Sequence, residues 1–272
     1  MKRTYPIFCK ALLILALGSL QPVAAQAQSA FVPHEARYDL SLLEARGVDA
    51  ASVDGLFLAR LARTCKGWVL DTDMQIKFGE QGQPQISLVS RSHHEETLSD
   101  DGTGGTLSFK TAQQLNGTTV ALTAGTAERG PDGGLVRFDT PANKTLKLPA
   151  GTNFPVSGAF YSIPRLFGGE RLVSQTLFDG GEEGALLTVD VAAGTPEPAP
   201  DGVAGDRDLL DSPAIRTVTA FYDPDTPDSE PLSTYVADYH ANGIATRLSL
   251  DIGLAMVGAE VSAIRRLPEP EC

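Results

Sequence analysis

Residues Tyr235–Gly258 read YVADYHANGIATRLSLDIGLAMVG. The second half alternates. Leu248, Leu250, Ile252, Leu254 and Met256 fall on one face, and Ser249, Asp251, Gly253 and Ala255 on the other. A period of two is the repeat of an extended strand, whose successive side chains point to opposite sides. Just before it, Asn242-Gly243 separates two strand-like runs. That dipeptide favours a tight turn because both residues tolerate positive φ. The stretch predicts an antiparallel hairpin whose second strand runs on through Met256.

The same pattern recurs upstream. ARYDLSL (36–42) sets Tyr38, Leu40 and Leu42 against Asp39 and Ser41. GWVLDTDMQIKF, QPQISLVS, GTLSFK, TTVALTA, GLVRFD, TLKLP, LVSQTLF, ALLTVDV, IRTVTAFY and PLSTYVADYH are further short extended runs. Asn116-Gly117 marks a second hairpin. Turn signals between these runs give an all-β, mostly antiparallel chain of about 14 strands. Phe57, Phe78, Phe109, Phe138 and Tyr38 are read as sheet core. One segment departs: Phe154–Gly169 reads as a helix, with Pro155 near its start and Gly168-Gly169 as its stop. Pro164 falls inside and would kink or shorten it. AAGTPEPAPDGVAGDRD (192–208) and DPDTPDSEP (223–231) read as exposed loops. No linker divides the chain, so residues 28–272 are expected to form one domain.

Residues 1–27 have the layout of a secretory signal peptide. Lys2, Arg3 and Lys10 precede an apolar run from Ala11 to Leu17, and small residues lead to Ala25 and Ala27. The run is too short to span a bilayer, which takes about 20 apolar residues. Of the three cysteines, Cys9 lies in this leader, so Cys65 and Cys272 remain in the mature chain. An oxidising compartment and an even count lead to a Cys65–Cys272 disulfide. A redox-active pair would sit close together in sequence, as in C-x-x-C. The net charge is -12 for the whole chain, and removing the leader's three cations makes it more acidic still. Such a surface repels nucleic acid and anionic headgroups.

Catalytic motifs are sparse. His93-His94-Glu95-Glu96 lacks the second histidine of a zinc helix, since Leu98 stands where it would be. In a strand the two imidazoles point to opposite faces, so no metal is expected there. Asp223, Asp225, Asp228 and Glu230 lack the glycine and distant glutamate of a calcium loop and read as solvated. No nucleophile elbow or phosphate loop is present. Trp68, the only tryptophan, reads either as a core aromatic beside the disulfide or as a contact for a protein partner.

With these residues in view, the chain resembles the EipB-like cell-envelope integrity proteins of alphaproteobacteria. The resemblance runs through HEARYDLSL, DGLFLARLARTCKGW, EETLSDDGTGGTLSFK, KLPAGTNFP, TLFDGGEEGALL and YVADYHANGIATRLSLDIG to the C-terminal cysteine. It implies a periplasmic β-spiral, an open barrel-like sheet with one central helix and an internal disulfide. It implies envelope maintenance without enzymatic chemistry or a cofactor. It extends to a periplasmic partner containing tetratricopeptide repeats. The helix FPVSGAFYSIPRLFGG departs from a regular pattern in its Gly, Ser and Pro content.

Three functions compete. A protein-binding scaffold would have a packed interior. A carrier of a lipid or lipoprotein acyl chain would enclose a roomy apolar cavity. A hydrolase would bring His34, His93 or His240 together with acidic residues in one cleft.

Overall fold

The computed structural model describes residues 31–46, 52–79, 86–99, 104–226, 230–253 and 255–272. The leader expected at 1–27 lies outside them. Eight strands come first: β1 (His34–Ala45), β2 (Ser52–Arg63), β3 (Gly67–Gly79), β4 (Ile86–Leu98), β5 (Gly105–Leu115), β6 (Thr118–Gly130), β7 (Gly133–Thr140) and β8 (Thr145–Leu148). Each pairs antiparallel with the one before it. Helix α1 (Pro155–Phe167) follows. The second arm holds β9 (Leu172–Leu177), β10 (Leu186–Glu197), β11 (Ala204–Gly205), β12 (Ala214–Tyr222), β13 (Ser233–Tyr239), β14 (Ala245–Asp251) and β15 (Ala255–Arg266). β15 pairs with β1, which joins the arms into one sheet ordered β8-β7-β6-β5-β4-β3-β2-β1-β15-β14-β13-β12-β10-β9. The expected count of about 14 becomes 15 because the two-residue β11 adds a parallel pairing to β15.

The sheet is not closed. Its ends, β8 and β9, do not pair with each other. An isolated β-bridge spans the gap, in which Asn153 N–H donates to the Thr176 carbonyl (2.8 Å) and Phe178 N–H to the Asn153 carbonyl (2.9 Å), and Lys144 Nζ donates across it to the Glu182 carbonyl (2.8 Å). Away from this gap, where the arms join at β1 and β15, a disulfide links Cys65, in the β2–β3 turn, to Cys272. Packed clusters fill the curl. Leu107, Phe109, Val136, Phe138, Phe154 and Phe178 form one at the β5–β8 end. Tyr38, Ile244, Val261 and Ile264 form another where the arms meet.

Four local expectations are revised. The Leu248–Met256 alternation is two strands, not one. Asp251 accepts from Gly253 N–H (2.9 Å), Ile252 N–H donates to the Ala255 carbonyl (3.1 Å), and the chain reverses with Gly253 at φ 78°. An acidic side chain two residues before a glycine is the local signal for that turn. The Asn242-Gly243 hairpin exists with a longer loop, closed by His240 N–H to the Ile244 carbonyl (2.8 Å). Only Gly243 takes positive φ there, and a Cβ on it would strike the Phe31 ring. Residues 192–197 continue β10 across a register shift, and Val203, Leu209 and Leu210 anchor the rest of that segment in the core. Helix α1 runs through Pro164 to Phe167.

The composition of α1 follows from its setting. At Gly158 a Cβ would lie 2.8 Å from Leu177 Cδ1, so glycine lets the helix approach β9. Phe154, the residue before the first turn, has no polar side chain to cap it. Glu96 of β4 does so instead, accepting from Val156 N–H (2.9 Å) and Ser157 N–H (3.1 Å). A carboxylate suits the positive end of a helix. Burial raises the Glu96 pKa; its hydrogen bonds at the helix start and the charge of Arg129 oppose the rise.

Candidate interior binding site

Curling the sheet around α1 leaves a cavity of about 310 Å³. The two arms supply unlike walls. From β1–β3 come Tyr38, Phe57, Ala59, Leu61 and Leu70, placed by the alternation read in the sequence. Helix α1 adds Val156, Ala159, Ile163 and Leu166. Facing them, β10, β12 and β13 present Thr188, Asp190, Thr217, Thr219, Tyr235 and Tyr239.

Three of these form a row across neighbouring strands. Asp190 stands opposite Thr219, and Thr219 opposite Tyr235. Thr219 Oγ1 donates to Asp190 Oδ1 at 2.6 Å. The Tyr235 and Tyr239 hydroxyls lie 3.4 Å apart. Asp190 is only 5 % exposed. Burial pushes its pKa up, against the pull of hydrogen bonds from Thr219, Ser162 and Gln175. Burial likewise raises both tyrosines. Gln175 ties the row to the helix, donating to the Gly158 carbonyl (3.2 Å) and accepting from Asn153 (2.9 Å).

The four histidines do not converge on one cleft, and three of them have separate partners. His34 lines the cavity and its Nδ1 lies 2.7 Å from the Val32 carbonyl. His93 is exposed and pairs with Asp71 at 2.6 Å. His94 is buried and contacts the Asp179 carbonyl at 2.9 Å. His240 is fully buried in the β13–β14 turn. Burial lowers the pKa of His34, His94 and His240. Among the described residues no three His, Cys, Asp or Glu side chains stand together as a metal site. In the 223–231 loop Asp225 and Glu230 are exposed, and Asp228 lies outside the described residues.

Trp68 does not present a surface for a partner. It is 4 % exposed and packs edge-on against Phe160 of α1 at 5.5 Å, with the Arg63 guanidinium 5.0 Å over its ring. Its position on β3, beside the Cys65 turn, turns it toward the helix. The Asp190–Thr219–Tyr235 row went unread in the sequence. Its only signal was a run of polar residues at alternate positions in TVDV, RTVTAF and STYVADY.

Known structures and families bear on this arrangement. The crystal structure of a beta-barrel-like protein of domain of unknown function DUF1849 from Brucella abortus superposes with a TM-score of 0.73. It shares 21% identity over 88% of this chain and 99% of that one, which establishes a common fold. No curated protein matches. The family model described as EipB-like matches residues 25–268, nearly the whole sheet and its helix, and the chain belongs to the EipB-like family.

Proposed function

We propose that this protein is a non-catalytic periplasmic component that maintains the cell envelope, acting as a disulfide-clasped β scaffold that binds other envelope proteins. Family membership supports the reading. The observation that carries it is the Cys65–Cys272 bond, which belongs in an oxidising compartment and fastens the two arms of an open sheet. A partner containing tetratricopeptide repeats is the first to seek. Deleting the gene and challenging cells with detergent is the test. A sensitive deletion strain whose resistance is restored by the wild type, and only partly by Cys272→Ser, supports the proposal. Cells as resistant as the parent refute it.

A second reading is favoured by the cavity itself. A scaffold needs no interior space, whereas about 310 Å³ falls at the lower end of small-molecule sites. On this reading the protein carries an acyl chain inside the curl.

A further inference from the structure

We infer that the cavity holds a single aliphatic chain whose head group donates a hydrogen bond to Asp190. The inference rests on the carrier reading and specifies its ligand. Size comes first: at roughly 30 Å³ per water-sized unit, 310 Å³ admits a chain of about ten heavy atoms. Phe57, Ala59, Leu61 and Leu70 make most of this wall, and its polar members His34, Tyr38 and Thr72 already have partners in Val32, Ala245 and Ser92, so the body of the ligand is apolar.

The polar end sits on the opposite wall. Asp190 is a carboxyl group held inside the sheet, where burial is costly unless it is partnered. Thr219, Ser162 and Gln175 already donate to it, which leaves a carboxylate room for one further donor from the cavity, and the Tyr235 and Tyr239 hydroxyls line the same wall. A carboxylate among hydroxyls accepts hydrogen bonds and disfavours a second negative charge beside it. The head is therefore a hydroxyl or an ammonium and not a carboxylate or phosphate. Protein charge points the same way, since a chain of net charge -12 repels anionic amphiphiles before they reach the site.

The test titrates the oxidised, leaderless protein by calorimetry at neutral pH with decanol, decylamine and decanoate, below their aggregation limits. The expected result is binding of the first two and at least about tenfold weaker binding of decanoate. Ala59→Phe, which fills the cavity from the apolar wall, abolishes binding of all three. Asp190→Asn narrows the discrimination, weakening decylamine and strengthening decanoate. Comparing decanol with decylamine tells a hydroxyl head from a cationic one. If all three bind alike and Ala59→Phe blocks them, the Asp190 assignment is wrong and the carrier reading stands. If none binds, or Ala59→Phe leaves binding unchanged, both fail together. Wild-type titration alone decides whether any of the three binds, even if a variant does not fold.

Discussion

The two walls of the cavity are built from the same kind of strand but do different work. On β1–β3 the inward positions are mostly aliphatic and aromatic, with His34 and Thr72 as the polar exceptions, as expected for one face of an antiparallel sheet covering a core. On β10, β12 and β13 the inward positions are Thr188, Asp190, Thr217, Thr219 and two tyrosines, with Phe221 the one wholly apolar side chain. Alternation assigns a side chain to a face, and nothing in the alternation requires that face to be apolar. An inward polar row that opens onto space, while the opposite wall is made of ordinary core residues, separates the part of the sheet that holds the fold from the part free to hold something else.

The largest effect expected comes from separating the arms that carry these walls. Cys272→Ser releases a 207-residue closure, worth at most about 5 kcal/mol in the chain-entropy model. Calorimetry should show the melting temperature lower by roughly 10 °C. An unchanged melt would mean that the β1–β15 ladder alone holds the arms.

Next comes a comparison of single side chains. Phe109→Ala empties a fully packed position among Phe138 and Phe178 and should cost about 3–5 kcal/mol in urea denaturation. Thr217→Val, on the polar wall, keeps the shape and should change stability by less than about 1 kcal/mol. Equal losses would erase the distinction between a structural and a spare wall.

The smallest effect is the dependence on pH. The pKa of Asp190 is raised in the folded protein, so folding favours its protonated form. That contribution is fully present below the unfolded carboxylate value and is lost as pH climbs through the folded value. Asp190→Asn has no such proton to lose. Its melting temperature relative to wild type should therefore rise from acid to neutral pH. Glu96, shifted in the same direction, is common to both proteins and cancels in the difference. A constant difference across that range would show that Asp190 titrates as an ordinary surface carboxylate.

Much of the sheet was legible because its signals are local. GWVLDTDMQIKF became β3 almost to the residue, and Asn116-Gly117 turns between β5 and β6 with both residues at positive φ, 51° and 78°. Parity of the cysteines outside the expected leader led to Cys65 and Cys272. What was not legible depends on register between distant strands. Asp190, Thr219 and Tyr235 meet only because β10, β12 and β13 align in one particular way. Glu96 caps a helix 60 residues further along, so no capping signal adjoins the helix itself. Trp68 presented the converse case. Its chemistry suits an interface, and only the placement of α1 over β3 decides that it faces inward.

The clasp also has a consequence in time. Cys65 is made early, and its partner follows 207 residues later. At about 5–20 residues per second, synthesis between them takes roughly 10–40 s. During that interval the thiol at Cys65 has no correct partner to oxidise with, and the first arm can already be pairing strand by strand. The bond can form only once the last strand has arrived beside the first. It therefore reports a finished molecule. A protein that enters an oxidising compartment before folding would carry in this one bond a record of whether its two arms had met.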